Sequence, residues 1–305
     1  MRERAKRITK TMMVMFMCIT MCIPQVVVYA AEVSKINEDA VRIKTSQAFN
    51  ARGKVKVKAP TLKDLSAKEG KLTIKLKKVK GARGYQIKYA TNEKFKKAKI
   101  KDIPSSGKLT FEVTPSEYYI TFRSYVKANG RRYYSSWVDA NDPWFRIVAK
   151  TYTIDMGKGK TKKVLGYFLV EEAEEIVKLT NAYRKRKGLS TLKRRNDLMN
   201  TASIRASEQS VKFAHQRPNG TDRATAFPKG MKRVGENLRI SGGYRYTAKD
   251  MVNNWINSPV HNVNMLNSQW NCMGAAVFVE AKKEKKWNLY YSEAKMYSVQ
   301  SFGRK

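Results

Sequence analysis

The chain has 305 residues, with 62 Lys+Arg against 25 Asp+Glu, two His and three Cys. Hydrophobic residues make up 42%, enough to bury a core, which excludes global disorder. One apolar run nears membrane-spanning length and it is N-terminal, so a polytopic membrane protein is excluded. Three Cys exclude a disulfide scaffold, and any His-dependent chemistry must pass through His215 or His261.

Residues 1–31 read as a secretory signal. Arg2, Arg4, Lys6, Arg7 and Lys10 form a positive start, Met12 to Ile23 an apolar stretch, and Pro24 a helix break. Val28-Tyr29-Ala30 then offers small residues at the third and last positions before a cut. The competing reading is an uncleaved anchor. Cleavage removes Cys18 and Cys22 and leaves Cys272 alone, with no internal bridge to form and a buried thiol expected. It also leaves 57 basic and 24 acidic residues, a formal charge of about +33. Such a charge attracts polyanions, and for an exported chain an anionic cell-wall polymer or lipid headgroups are more available partners than nucleic acid. The same charge also serves solubility alone.

Residues 32–57 are polar and aperiodic and read as a tether. From about residue 58 the pattern has period two, as in strands. Leu72, Ile74 and Leu76 alternate with Thr73, Lys75 and Lys77, and Tyr85, Ile87 and Tyr89 with Gln86 and Lys88. Asn129-Gly130 predicts a hairpin turn. A β-sandwich of about 90 residues follows. Val79-Lys80-Gly81-Ala82-Arg83-Gly84-Tyr85-Gln86-Ile87-Lys88-Tyr89, and the ending Asn129-Gly130…Tyr133-Tyr134-Ser135-Ser136-Trp137, make 58–140 resemble a bacterial fibronectin type III-like domain. The resemblance implies a spacer or a wall-contacting module. Residues 51–150 hold 25 Lys+Arg against 8 Asp+Glu, which places polyanion contact here. Residues 141–167, Lys/Gly-rich at 157–163, read as a linker.

The second half reads as helices and then strands. Residues 169–187 predict a helix, with Glu171, Glu172, Glu174 and Glu175 at its start and Arg184, Lys185, Arg186 and Lys187 at its end, as the macrodipole favours. A second helix spans about 196–213, with Phe213 on its inner face and His215 just beyond it. Thr247 and Asp250 predict a capping box for a third helix with Met251, Val252, Trp255 and Ile256 inward. Ser258-Pro259 ends that helix and His261 follows. Trp255 and Phe213 read as core, and Tyr244 and Tyr246 as cleft-rim or ordinary loop aromatics. Strand-like stretches, Gly274 to Val279 and Trp287 to Tyr291, close the chain.

Between the two histidines lies Gly235-Glu236-Asn237. Two imidazoles and a carboxylate can bind a divalent metal with positions left open. Sequence separation alone does not bring them together, and no short H-x-x-x-H spacing occurs.

Four segments occur in order: Phe213-Ala214-His215-Gln216-Arg217-Pro218-Asn219-Gly220, Gly235-Glu236-Asn237-Leu238, Trp255-Ile256-Asn257-Ser258-Pro259-Val260-His261-Asn262, and Met265-Leu266. With Leu179-Thr180-Asn181-Ala182-Tyr183-Arg184, they make about 168–302 resemble the CAP superfamily, the SCP-type cysteine-rich secretory proteins, in its bacterial form. The resemblance implies an α-β-α sandwich with a large cleft, and a cleft site and metal site at His215, Glu236 and His261. Its fourth acid is Asp222, Glu208 or absent.

The whole is then an α+β chain: signal 1–31, tether 32–57, fibronectin III-like sandwich 58–140, linker 141–167 and CAP domain 168–305. The expected function is a secreted or surface-held monomer whose cleft takes a divalent metal, zinc first, and a lipid or small-molecule ligand. Specific nucleic-acid binding is not expected. The alternative is a metal-assisted hydrolase with Glu208 or Asp222 as base. No G-x-S-x-G elbow occurs and no motif sets Cys272 beside a His, so a Ser or Cys nucleophile has no support.

Overall fold

A computed structural model describes residues 55–140, 145–242, 246–284, 289–291 and 295–305. The expected signal and all but the end of the tether lie outside these residues, as does Tyr244. Among the described residues no helix is long and apolar enough to cross a membrane. The chain is α+β, as expected from its sequence.

The first half comprises β1 (Leu62–Lys68), β2 (Lys71–Leu76), β3 (Gly84–Ala90), β4 (Lys99–Ile103), β5 (Lys108–Glu112), β6 (Ser116–Ala128) and β7 (Arg131–Tyr134). They form two sheets with strand orders β1-β2-β5 and β4-β3-β6-β7. Period-two alternation explains the packing. Leu72, Ile74 and Leu76 of one sheet, and Tyr85, Ile87 and Tyr89 of the other, all join one buried core. Asn129 and Gly130, at φ of 50° and 71°, make the expected hairpin turn between β6 and β7.

Residues 141–167 are not a plain linker. They hold β9 (Phe145–Val148), β10 (Lys150–Gly157) and most of β11 (Lys160–Phe168), after the short β8 (Val138–Asp139). β8 and β9 pair with β6, whereas β10 and β11 form a hairpin that joins the second half's sheet. The lysines hid this strand pair, because the outer half of β11, Lys160–Lys163, is exposed and carries no apolar alternation. The hairpin also ties the halves together. Ser116 Oγ donates to Phe168 O at 2.8 Å, Phe168 N to Pro115 O at 3.1 Å, and Tyr167 OH to Glu117 Oε1 at 3.0 Å.

The second half adds α1 (Val170–Arg186), β12 (Lys193–Arg194), α2 (Asn196–Gln209), β13 (Arg233–Ser241), α3 (Ala248–Asn257), α4 (Pro259–Leu266), β14 (Cys272–Glu280), the small hairpin β15 (Lys282–Glu284) and β16 (Leu289–Tyr291), and β17 (Met296–Arg304). The sheet runs β10-β11-β14-β17-β13 and is antiparallel along that path. Alternation on β14 separates its two faces. Met273, Ala275, Val277 and Val279 share a core with Ile176 of α1, Met251 and Trp255 of α3 and Met265 of α4. Ala276 and Phe278 pack with Ala202 and Ala206 of α2. Helices therefore cover both faces, an α-β-α arrangement.

The capping box forms as expected: Thr247 Oγ1 accepts from Asp250 N, and the Asp250 side chain accepts from Thr247 N. Two expectations fail. α2 stops at Gln209 because the Gln209 amide bonds the following loop, accepting from Ala214 N at 2.9 Å and donating to Ala214 O at 3.0 Å. Phe213 is thus a loop residue, 50% exposed, and not core. Ser258-Pro259 ends α3 but also opens α4, with Pro at the first helical position where its missing N–H costs nothing. His261 therefore lies in the first turn of α4 rather than in a loop.

Cys272 is buried, as expected, and donates from Sγ to Gly303 O at 3.2 Å. Burial pushes its thiol pKa up. Gly274 lets α2 sit directly on β14: a Cβ there would meet the Leu198 backbone carbon at 2.2 Å and Met199 N at 2.3 Å. Since backbone cannot swing aside, Gly274→Ala must lift α2 off the sheet. A loss of about 3 kcal/mol or more in urea unfolding is expected, larger than for alanine at Gly242, which has open space around it.

Candidate functional site

β13 closes one end of the sheet and carries the site. Side chains alternate across it, so Glu236 faces the α2 layer and Asn237 the α4 layer. The contacts agree: Glu236 meets Arg205 of α2, whereas Asn237 Nδ2 donates to His261 O at 3.0 Å and to Gln300 Oε1 at 2.9 Å. Gly235 is required by close packing rather than by a turn, since a Cβ would approach Trp270 to 2.9 Å.

Arg205 is the centre of the α2 side. Its side chain is wholly buried between two carboxylates. It donates from Nε to Glu236 Oε2 and from Nη2 to Glu236 Oε1, both at 2.9 Å, a bidentate pair. Nη1 donates to Glu208 Oε2 at 2.5 Å. Nη2 also reaches Ala214 O at 2.8 Å and His215 O at 2.9 Å, fixing the loop after α2. Arg217 binds the other Glu208 oxygen, Nη2 to Oε1 at 2.6 Å. Burial acts to lower the Arg205 pKa, but the hydrogen bonds and charges of Glu236 and Glu208 outweigh it and raise it.

The two histidines arrive from opposite helix layers. His215 Nδ1 lies 2.9 Å from Glu236 Oε1. A carboxylate only accepts, so Nδ1 carries the proton and donates, which leaves Nε2 as the lone-pair nitrogen. His261 Nδ1 lies 2.8 Å from Ser258 Oγ, its own helix cap. Its position on α4 is set by α1. Arg184 Nη1 donates to Met265 O at 2.8 Å and Asn267 O at 2.9 Å, and Tyr183 OH donates to Asn262 Oδ1 at 3.1 Å. Burial lowers the His261 pKa first, and repulsion from His215 in its cationic form and from Arg239 lowers it further.

Of the three residues expected as metal ligands, Glu236 and His215 are thus brought into direct contact, and His261 into electrostatic reach of His215. Both Glu236 oxygens are taken by Arg205. Among the described residues no group of three His, Cys, Asp or Glu side chains is placed to hold a metal ion. The donor chemistry fits a metal held by the two imidazoles, with Glu236 orienting His215 from behind. It does not fit Glu236 as a third ligand while Arg205 holds it. The two candidate fourth acids are also engaged. Glu208 is held by Arg205 and Arg217, and Asp222 caps a 3-10 turn by accepting from Ala224 N at 2.8 Å.

Arg205 escaped the sequence reading. The signal was there: it shares the inner stripe of α2 with Leu198, Ala202 and Ala206, and an Arg on such a stripe must find buried acids.

Residues 177–299 match the family model of CAP, the cysteine-rich secretory protein family. Residues 177–299 form a CAP domain. No curated protein matches the chain by sequence. Among solved structures it is similar to an outer surface protein from Borrelia burgdorferi, at TM-score 0.35 and 19% identity, covering 46% of this chain and 98% of that one. It is similar to an extracellular protein containing an SCP domain from Bacillus anthracis, at TM-score 0.35 and 15% identity, covering 82% and 68%. A cysteine-rich secretory protein from Staphylococcus aureus gives TM-score 0.32 and 14% identity, covering 81% and 89%.

Two outcomes follow for the CAP domain. Arg205→Met leaves two buried carboxylates short of their cation and should cost about 3–5 kcal/mol in urea unfolding. Adding Glu236→Gln to it removes one of those stranded charges and should recover part of the loss. For His261, the folded pKa lies below the unfolded value of 6.5. The unfolded chain then binds the extra proton, so stability is complete above pH 6.5 and falls as pH drops through the lowered value. His261→Gln should flatten this part of the pH profile in unfolding measured on metal-free protein.

Proposed function

We propose that this is an exported CAP-domain protein whose cleft holds a divalent metal, zinc first, on His215 and His261, and binds a small ligand beside it. The observation that carries the reading is the anchoring of both imidazoles through Nδ1, His215 by Glu236 and His261 by Ser258. This leaves both Nε2 atoms for a metal, and a lowered pKa keeps His261 neutral, the form that ligates. When bound, the metal supplies a Lewis-acid centre for an oxygen-bearing ligand. This chain's residues orient the imidazoles and hold the local charge. Binding is favoured over hydrolysis because Glu208 and Asp222, the candidate bases, both have fixed structural partners.

The export reading rests on the basic, then apolar, then small-residue pattern of 1–31. The first half is read as a fibronectin III-type sandwich, supported by its two sheets of order β1-β2-β5 and β4-β3-β6-β7. Its role is read as retention on an anionic wall polymer. Aromatic rings there set basic side chains in place: Lys88 lies 4.7 Å from the Trp137 ring centroid, and Arg123 lies 3.7 Å from that of Tyr134.

Elemental analysis of purified protein should find zinc in the wild type and none in a His215→Ala/His261→Ala double variant. Glu236→Gln should weaken zinc by about 10–100-fold. Equal metal content in wild type and double variant refutes the site. Retention on purified cell wall should fall as salt rises; retention indifferent to salt refutes the polyanion contact.

A further inference from the structure

Residues 251–271, which hold most of α3, all of α4 and the loop after it, contain no Asp, Glu, Lys or Arg. At the chain's 29% charged composition, a stretch of this length would carry about six. Part of the run is core: Met251, Val252, Trp255 and Met265 are buried. Its outer side is not. Val260 and Val263, one helical turn apart on α4, are 76% and 71% exposed, more than any other large hydrophobic side chain among the described residues. A groove of about 620 Å³ runs beside Val263, with Ile256, Pro259, Asn262 and Leu266 also on its wall. Single exposed hydrophobic residues are ordinary, but an uncharged apolar ridge with a groove along it marks a contact surface.

The border of this ridge is basic. Tyr183 OH, at the end of α1, donates to Asn262 Oδ1 at 3.1 Å. Arg186 and Lys187 lie 5.6 and 5.9 Å from the centroid of the Tyr183 ring, and so stand next to the groove. Lys185, Arg186 and Lys187 are all exposed. Among the described residues none of the three joins an ion pair. No Asp or Glu occurs in 176–196 either.

The charge pattern selects the occupant. A second copy would bring another chain of formal charge +37, with its own Lys185–Lys187 cluster, against the first. Protein contacts centre on aromatic and Arg anchors, whereas this ridge offers two valines. An anionic lipid surface meets both features at once. Its headgroups neutralise the basic border, and the uncharged ridge enters the acyl boundary with no charge to desolvate.

We propose that α4 docks on a lipid bilayer bearing anionic headgroups, with Val260 and Val263 in the acyl boundary and Lys185, Arg186 and Lys187 on the headgroups. Docking brings the helix that carries His261 to the lipid surface. The proposal needs neither a bound metal nor the wall polymer, which is read as meeting the other half of the chain.

The test measures partition of the purified protein onto vesicles of phosphatidylcholine alone and onto an equal mixture with phosphatidylglycerol. Charge elsewhere on the chain adsorbs to anionic lipid without insertion, so the pressure rise of a mixed-lipid monolayer reads the ridge itself. The wild type should prefer the mixed vesicles and raise the monolayer pressure. Val260→Ser/Val263→Ser, with an unchanged melting transition, should lower partition onto mixed vesicles about tenfold and abolish the pressure rise. Lys185→Gln/Arg186→Gln/Lys187→Gln should weaken mixed-vesicle binding by tenfold or more. Equal wild-type binding to both vesicles, no pressure rise, or a valine variant that inserts like the wild type overturns the proposal. A dimer in sedimentation that the valine variant abolishes also overturns it, since the ridge then joins two copies. Retention on purified cell wall should be the same for the valine variant and the wild type. A parallel loss there assigns the ridge to the wall polymer and overturns the proposal, whereas salt-indifferent wall retention with insertion intact defeats only the polyanion reading and leaves the docking face supported.

Discussion

The CAP domain is organised around one buried cation. Arg205 has no access to water, so its charge must be met inside the protein. Glu236 and Glu208 meet it, and Arg217 balances the second carboxylate. Two guanidinium groups and two carboxylates sum to zero, so the network needs no charge from His215. It links α2, β13 and the loop of Ala214 to Arg217 into one unit. None of these can shift without exposing an unpaired charge to a low-dielectric interior. Glu236 thereby becomes a fixed acceptor, and the His215 ring is held in one tautomer by it. The carboxylate serves the site through its neighbour and not by reaching outward.

The legible parts of the sequence were those governed by local rules. The α1 helix, the Thr247–Asp250 box, the hairpin at Asn129-Gly130 and the strand alternation of Leu72 to Leu76 are each set within a few residues, so periodicity and capping chemistry suffice. The ordered motifs singled out His215, Glu236 and His261, and the first two are in direct contact in the fold. What stayed hidden depends on partners far along the chain. The bond from Arg205 to Glu236 spans 31 residues. The stop of α2 depends on Gln209 folding back on Ala214, which competes with a helical pattern that otherwise continues to Phe213. Ser258-Pro259 is ambiguous in principle, because the same pair that ends one helix is a good cap and first residue for the next. The β10–β11 hairpin was masked by lysines at positions where one face meets water.

That hairpin changes how the two halves relate. The chain does not pass from one half to the other through a free tether. β10 begins one residue after β9, which belongs to the first half's sheet, and β11 lies against β14 in the other. Glu69 accepts from Thr151 at both N and Oγ1, each at 2.9 Å, and Thr91 donates to Glu171 at 2.7 Å. The basic first half is therefore carried on the same framework as the CAP sheet. A polyanion bound to one half would hold the other close to the same surface, with little linker entropy to overcome.

The position of β13 at the end of its sheet explains why the site gathers there. A central strand is covered on both sides by neighbours, but an end strand leaves room for groups from both helix layers to close around it. His215 comes over from the α2 side and His261 from the α4 side, with Glu236 and Asn237 as their respective anchors. Alternation along a single strand thus divides the labour: one residue satisfies the buried cation and the first imidazole, and the next fixes the helix that carries the second. Consecutive residues must do this, because only neighbours on a strand face opposite layers. The Gly235-Glu236-Asn237 run therefore reads as one device. The glycine admits Trp270, the carboxylate orders the α2 face, and the amide orders the α4 face.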